Sequence, residues 1–212
     1  MANRPVFIAG DESRSVYRWD VEFVWNAGLS ASQKKKNIVA LHEAFNADEP
    51  EMKVLEISSK SLQEAGVRLS AFNLMKFVPS LGRSVPLECV FQGSKVFAGG
   101  GPFTELYEGT SREAKQEPRL KTSGVRLGYE FEGVRFPTFP TTAFYNWLYA
   151  NALLEKPELA EEIVKYDAFT DIEFNPNKSR NCQAEAAAVF VGLARRGLLD
   201  EVRDYERFVK LL

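Results

Sequence analysis

The chain has 212 residues, of which 45% are hydrophobic and 12% aromatic, and this is enough apolar material for one buried core. The formal net charge is −2, which excludes attraction of nucleic acid by an overall basic field, so any such contact has to be local. The single histidine, His42, excludes a multi-histidine metal site, and Cys89 and Cys182 lack the spacing of a zinc site or a disulfide framework.

Length and composition lead to several expectations about the chain as a whole. We expect a single domain over residues 1–212, with no metal and no cofactor. No stretch has the roughly 18 apolar residues of a membrane span, and the first ten residues lack a signal-peptide pattern. We therefore expect a cytoplasmic protein that makes no membrane contact. His42 lies beside an apolar stripe at helical spacing, and we expect a packed helix histidine there.

The first elements in chain order are two short strands, predicted at residues 5–8 and 21–25. A turn follows, and Ser30 or Ser32 is the predicted N-cap of a helix that starts at Gln33. Its first turn carries three successive lysines, at positions 34–36. Because lysines at a helix N-terminus oppose the helix dipole, the run indicates either a solvated charged face or an anionic partner.

The later pattern predicts a helix-rich α+β fold. Strands are predicted at 54–57 and 125–131. The periodicity of residues 69–74 does not distinguish a helix from a strand. Helices are predicted over 85–97, with Ser84 as a possible cap and Pro86 in the first turn, and over 144–154, 159–166 and 184–199. A polar loop precedes the last of these helices. We predict one predominantly helical α+β domain with a small mixed or antiparallel sheet.

The predicted helix over 85–97 carries the most informative group of side chains. Glu88, Gln92 and Lys95 recur at i, i+4 and i+7, which places an acid, an amide and an amine on one helix face. A surface Glu and Lys that support the helix would give the same spacing. Gly93 weakens a helix centre by roughly 1 kcal/mol relative to alanine, which fits a site where another group approaches the backbone closely.

These residues resemble a known family. The run 88–97, Glu-Cys-Val-Phe-Gln-Gly-Ser-Lys-Val-Phe, resembles the NADAR (YbiA-like) signature Glu-His-Tyr-Phe-Gln-x-x-Lys-x-Phe, and 111–119 resembles its Ala-Lys-x-x-x-Arg segment. Residues 69–73 are similar to the family's Leu-Ser-Asn-Phe segment with the order altered. Trp147 matches the second residue of an Asp-Trp pair, although Asn146 replaces the aspartate.

The resemblance covers residues 69–197, and the later stretches 170–176 and 178–184 match more weakly. Residues 1–68, with Trp25 to Ser30 and Gln33 to Lys36, look like the branch of the family that accompanies DarT toxins, which ADP-ribosylate DNA. The resemblance implies an antitoxin that hydrolyses the N-glycosidic bond between ADP-ribose and the exocyclic amino group of guanine in DNA. The partners it implies are ADP-ribosylated DNA, ADP-ribose and a cognate DarT-type toxin.

Two other functions are open at this stage. The first is a module that binds ADP-ribose or the toxin without catalysis. The second is an N-glycosidase that acts on a riboflavin-pathway intermediate, an activity associated with some NADAR relatives. Release of free ADP-ribose from a modified oligonucleotide separates the glycohydrolase from both alternatives.

The candidate catalytic residues follow from the chemistry of the bond. Cleavage develops positive charge on the ribose, so a carboxyl group near the bond can protonate the leaving nitrogen, activate water or stabilise the sugar cation, and Glu88 is the first choice. Asp171, in the polar loop before the last helix, is the second carboxylate. Lys95 or Lys35 can form a Schiff base with the ribose or pair with the pyrophosphate. We expect Lys35 to point inward because Ile38 and Phe45 share its side of the helix.

The remaining candidates are binding residues. Trp147 is the preferred aromatic platform for a base, and Phe91 and Trp25 are the other two platform candidates. The polar candidates for ADP-ribose are Gln92, Ser70, Asn73 and Asn181. The candidates for DNA phosphate are Lys34, Lys36, Lys178 and Arg180.

Overall fold

The first and ninth strands of the chain form the centre of a mixed four-stranded sheet in the structure, which is a computed structural model and describes residues 1–177 and 179–212. The strands are β1 (Ala2–Ala9), β2 (Val16–Phe23), β3 (Val54–Glu56), β4 (Met75–Val78), β5 (Arg83–Pro86), β6 (Lys95–Phe97), β7 (Arg126–Phe131), β8 (Val134–Phe136) and β9 (Ala168–Thr170). The helices are α1 (Ala31–Asp48), α2 (Glu64–Arg68), α3 (Leu87–Gly93), α4 (Ser111–Gln116), α5 (Arg119–Thr122), α6 (Ala143–Leu154), α7 (Pro157–Ile163), α8 (Gln183–Arg195) and α9 (Tyr205–Lys210).

The mixed sheet has the order β2-β1-β9-β3, in which β1 runs antiparallel to β2 and β9, and β3 runs parallel to β9. Because side chains alternate across a strand, Val6 faces one side of the sheet and Phe7 the other. The Val6 side packs against α1 through Ile38, Leu41 and Phe45, which confirms the predicted apolar stripe of that helix. The Phe7 side belongs to the larger core that α6 and α8 complete.

Two smaller antiparallel sheets complete the fold: the hairpin β4-β5 and the three-stranded sheet β6-β7-β8. The predicted α+β class with mixed and antiparallel pairing is therefore confirmed, although the strands of the described residues form separate sheets. Ser30, one of the two predicted caps, is the N-cap of α1, and its side chain accepts a hydrogen bond from the backbone N–H of Gln33; the helix itself begins at Ala31, two residues before the predicted start. In the described part of the chain, no helix is long and apolar enough to cross a membrane.

The prediction of one continuous helix over 85–97 is wrong. Only Leu87–Gly93 is helical, because Val85 and Pro86 pair with β4 and residues 95–97 pair with β7. Ser84 consequently lies in a strand and caps nothing, and Pro86 precedes the helix. A short apolar run has the same appearance in a buried helix and a buried strand, and here pairing with distant strands determines the outcome.

Candidate active site

Helix α3 is the floor of the candidate site, and all seven of its residues are buried. Backbone bonds to the turn at residues 69–74 hold its beginning in place. The N–H of Leu87 donates to the carbonyl of Leu74 at 2.8 Å, and the N–H of Glu88 donates to that of Ala71 at 2.9 Å. These bonds fix the backbone from which the Glu88 side chain extends, in the first turn of the helix. Glu88 is only 6% exposed.

Glu88, Gln92 and Lys95 form a continuous hydrogen-bonded chain. Gln92 Nε2 donates to Glu88 Oε1 at 2.9 Å, and Lys95 Nζ donates to Gln92 Oε1 at 2.6 Å. The spacing read from the sequence thus brings the three groups together, although Lys95 lies on β6 rather than on the helix. The amide between the acid and the amine orients both of them, because its two ends are a donor and an acceptor.

Lys95 is less basic than a surface lysine. Burial lowers the pKa of Lys95 to about 8, opposed by the negative charge of Glu88, while Arg126 and Lys115 lower the pKa further. Its ammonium group also lies 4.6 Å from the centre of the Phe91 ring. A lysine with such a pKa has about a tenth of its population as neutral amine at pH 7, and a neutral amine is a nucleophile.

The loop after β9 supplies the opposite wall of the pocket. Asp171 lines the pocket, and its Oδ1 accepts a hydrogen bond from the backbone N–H of Glu173 at 3.0 Å. Burial and the nearby Glu56 raise the pKa of Asp171 above that of an ordinary aspartate. Gln183, the first residue of α8, ties the end of this loop to the turn that holds α3, because its Oε1 accepts from the N–H of Ala71 at 2.8 Å. The site therefore contains carboxyl groups in two different environments.

The space between floor and loop is a cavity of about 410 Å³, within the size range of ligand pockets. Four aromatic side chains line it: Phe72, Phe91, Tyr145 and Phe174. Lys115 of α4 is also part of the lining, and its ammonium lies 5.1 Å from the centre of the Phe72 ring. The pocket thus combines ring faces for a base with cations for an anionic ligand.

Sequence reasoning missed four of these lining residues: Phe72, Lys115, Tyr145 and Phe174. Phe72 and Lys115 lie in the two quoted segments, 69–73 and 111–119, and the resemblance could have identified them. Tyr145 precedes the Asn146-Trp147 pair by one position, and no local pattern marks it. Its pKa is well above the usual range because the side chain is buried, with Glu88 among the nearby negative groups. At neutral pH Tyr145 is therefore a hydroxyl group, able to donate a hydrogen bond.

The expected inward orientation of Lys35 is wrong. Lys35 is exposed and lies with Lys36 on a separate shallow groove of α1. Lys34 is the inward member of the run: its ammonium lies 3.5 Å from the carboxylate of Glu173, which lines the pocket. The buried stripe of α1 is centred on Asn37, Ile38 and Leu41, and Lys34 precedes these by one helical turn, whereas Lys35 is rotated by about 100°.

Trp147 is not the aromatic platform that the resemblance suggested. It packs against Phe136 and Tyr205, with ring centres 4.9 and 5.8 Å away, in a cluster outside the pocket. Tyr145 of the same helix lines the pocket, and a residue two positions later points about 200° away from it. Because Tyr145 faces the pocket, Trp147 faces away from it, on a partly buried side of α6.

Several other binding candidates also lie outside the pocket lining. Ser70 and Asn73 hydrogen-bond to the carbonyl of Val67 and to each other, so they stabilise the turn that carries Phe72. Trp25 contacts Phe23, and Arg4 and Lys34 lie over its ring. Arg180 is exposed beside the pocket loop. Asn181 lines the pocket together with Gln92 and Phe91, and Lys178 lies outside the described residues.

Gly93 has the close neighbour that its position suggested, and this neighbour belongs to the same chain. A Cβ atom on Gly93 would lie 2.5 Å from Cε1 of Tyr107 and 2.9 Å from the carbonyl oxygen of Phe103. The backbone N–H of Phe103 donates a hydrogen bond to the carbonyl oxygen of Gly93 at 2.7 Å. The glycine therefore allows residues 103–107 to pack against α3 and support the site from behind.

A family model described as a DarT1-associated NADAR antitoxin matches residues 2–212. The match includes the first 68 residues as well as the segment with the pocket motifs. Comparison with curated proteins found no match.

Proposed function

The chain belongs to the DarT1-associated NADAR antitoxin family, which confirms the resemblance read from its sequence, and from this premise we propose that it is an ADP-ribosyl glycohydrolase. Its substrate in this proposal is ADP-ribose joined to the exocyclic amino group of a guanine base in DNA. The family relation itself indicates an antitoxin role against a DarT toxin. Reversal of the DNA modification is the way in which the proposed activity would supply that role.

The observation that carries the proposal is the arrangement of Glu88, Gln92 and Lys95 opposite Asp171 in one aromatic pocket. Glycosidic cleavage needs a group that protonates the leaving atom and a group that receives a proton from water. The raised pKa of Asp171 keeps it protonated to higher pH than an ordinary aspartate, which suits the first role. Glu88, oriented by Gln92, suits the second.

In a direct hydrolysis, water attacks the anomeric carbon of the ribose and transfers a proton to Glu88. The bond between that carbon and the guanine nitrogen breaks, and its electron pair stays on the nitrogen. Asp171 supplies the proton that completes the amino group. The products are ADP-ribose and unmodified guanine, and the two carboxyl groups recover their starting states by exchanging a proton with water.

A second route uses Lys95 as the nucleophile. The ring C–O bond of the N-linked ribose breaks as the N–H proton moves to the ring oxygen, and the neutral amine of Lys95 adds to the imine carbon that forms. One proton from the Lys95 nitrogen and one from Asp171 complete the amino group of guanine, the bond between that nitrogen and the carbon breaks, and the carbon remains bound to Lys95 as a Schiff base. Water hydrolyses this intermediate and releases ADP-ribose. The lowered pKa of Lys95 supports the Schiff-base route. The contact between Lys95 and Gln92 is compatible with both the Schiff-base route and direct hydrolysis.

Recognition in this proposal depends on the aromatic and cationic lining. Stacking of a base on an aromatic ring contributes about 1 to 3 kcal/mol, and the pocket offers Phe72, Phe91 and Tyr145 for this purpose. Lys115 supplies a cation for the diphosphate on the α4 side of the pocket. Lys34, held by Glu173 at the rim, supplies another for the phosphates of the flanking DNA.

The test is incubation of the protein with two substrates: an oligonucleotide carrying ADP-ribose on guanine and a small ribosylamine of the riboflavin pathway. We expect release of free ADP-ribose from the guanine substrate, detected by mass spectrometry. Retention of ADP-ribose on a bound oligonucleotide would instead indicate a binding module. Preferred cleavage of the small ribosylamine would indicate a metabolic N-glycosidase, and both results would contradict the proposal.

A further inference from the structure

Glu56 is a buried carboxyl group that the proposed reaction does not use. It lies at the end of β3, opposite Thr170 in the parallel pair β3-β9, and is 1% exposed. A carboxyl group in such a position is costly unless hydrogen bonds satisfy it. The hydrogen bonds of Glu56 go to the chain on both sides of Asp171.

The two oxygens of Glu56 bind the two neighbours of Asp171. Its Oε2 accepts a hydrogen bond from the hydroxyl group of Thr170 at 2.6 Å, and its Oε1 accepts from the backbone N–H of Ile172 at 2.9 Å. Asp171 therefore lies on a segment held at both ends by one side chain. This fixes the direction in which its carboxyl group leaves the backbone.

His42 extends this arrangement to α1, since its Nε2 lies 2.8 Å from the Thr170 hydroxyl oxygen. The Thr170 hydroxyl has one proton, so its donation to Glu56 requires His42 to donate to Thr170 through an Nε2–H. Burial lowers the pKa of His42 to about 4, which keeps the ring neutral at physiological pH. The only histidine of the chain is thus a neutral support for the segment behind the pocket.

We propose that Glu56 is a positioning residue: its carboxyl group, bound to both neighbours of Asp171, fixes the carboxyl group of Asp171 in the pocket wall. The two hydrogen bonds carry this proposal. The raised pKa of Asp171, for which the charge of Glu56 is the largest cause after burial, supports it. The consequence for catalysis rests on the proposed glycohydrolase function, in which Asp171 is the proton donor.

The other groups that face Asp171 act in both directions. Lys115 on α4 lowers its pKa, and so do the bonds from Gln183 on α8 and the backbone of Glu173. Tyr145 and Tyr149 on α6 and Cys182 beside α8 are uncharged at neutral pH, because burial raises the pKa of each. Burial and the charge of Glu173 raise the pKa of Glu56, whereas the hydrogen bonds from Thr170, Ile172 and Ser58 favour its carboxylate form. Among the groups that face Asp171, the Glu56 carboxylate is the one whose charge favours the protonated form of Asp171.

Glu56→Gln distinguishes the effect of the hydrogen bonds of Glu56 from the effect of its charge. The glutamine carbonyl can accept from Ile172, and its amide can donate to Thr170, so the segment stays held while the carboxylate is lost. We expect the titration of Asp171, followed by carboxyl ¹³C NMR, to move to lower pH in this variant. Glu43→Gln, an exposed change on α1, is the matched control and leaves the titration where it is in the unchanged protein.

Glu56→Ala removes the hydrogen bonds to Thr170 and Ile172 as well as the charge. We expect it to lower kcat for the ADP-ribosylated guanine oligonucleotide at least 10-fold, with a smaller change in KM, and Glu56→Gln to restore part of the loss. An unchanged kcat in folded Glu56→Ala would overturn the proposal, and if the alanine variant does not fold, an unchanged Asp171 titration in folded Glu56→Gln would do so. The titration needs no substrate, so it is independent of the glycohydrolase function. If that function fails, the unchanged protein will be inactive on the oligonucleotide, while the titration of Asp171 will still move to lower pH in Glu56→Gln.

Discussion

The amide oxygen of Gln92 accepts a hydrogen bond from Lys95 at 2.6 Å, and this single contact sets the direction of the whole amide. Its nitrogen then has to face Glu88, to which it donates at 2.9 Å. One uncharged side chain thus keeps a carboxyl group and an amine in a fixed relation without making them a direct ion pair.

Gln92→Glu tests this relation by adding a second carboxylate beside Lys95. We expect the pKa of Lys95 to rise above about 8, because a nearby negative charge favours the protonated amine. Competitive acetylation at a series of pH values, read by mass spectrometry, measures the change, with the exposed Lys210 as internal reference. Equal labelling curves for Lys95 in the two proteins would show that Gln92 does not control the amine.

The Schiff-base route predicts a particular pH dependence. The pKa of Lys95 is lowered to about 8, so its nucleophilic neutral form increases as the pH rises through that value, whereas Asp171 loses the proton that guanine needs in order to leave. Borohydride added during turnover should therefore trap a covalent adduct on Lys95, in a yield that rises toward pH 8 and falls at higher pH. Lys95→Met should give no adduct. Turnover without any trapped adduct in the unchanged protein would assign the reaction to direct hydrolysis.

The lysine run predicts unequal effects for neighbouring substitutions. Lys34→Ala should raise KM for the modified DNA several-fold, because it removes the cation that faces Glu173 at the pocket rim. Lys35→Ala is the matched control and should change KM less than twofold, since its side chain points to solvent on another groove. A severe loss of kcat in Lys35→Ala would restore the role expected from the sequence and contradict the placement of this helix.

Gly93→Ala should destabilise the protein by about 1 to 3 kcal/mol, the usual cost of overpacking a core. The added methyl group would lie 2.9 Å from the backbone oxygen of Phe103, which cannot move without displacing residues 103–107. Urea unfolding monitored by circular dichroism measures the effect. An unchanged unfolding midpoint would mean that the segment behind α3 is free to shift.

The parts of the fold that were predicted from sequence are those in which neighbouring residues decide the structure. The stripe of Ile38, Leu41 and Phe45 marks α1, and the fixed spacing of Glu88, Gln92 and Lys95 survives even though Lys95 is in a strand. The errors concern long-range information. The strand character of residues 95–97 depends on β7, which lies some thirty residues later in the chain.

Orientation around a helix was the second source of error. Lys34 and Lys35 are equivalent as sequence, and only the packing of α1 against the sheet determines which one faces the pocket loop. In the same way, Tyr145 and Trp147 are both aromatic residues of α6, and the position of α3 determines that Tyr145 lines the pocket. Glu56 carries no local pattern at all, because its partners are more than a hundred residues away in sequence.

The most direct test of the account is the single-turnover rate of ADP-ribose release from a guanine-modified oligonucleotide by Glu88→Gln. Glutamine retains the size of the side chain but removes the group that receives the proton of water, so we expect a rate about 10² to 10⁴ times lower. Affinity for the modified oligonucleotide, measured in parallel, should change little, and the exposed Glu12→Gln serves as control. Release of ADP-ribose by Glu88→Gln at the unchanged rate would contradict the assignment of this pocket as the active site.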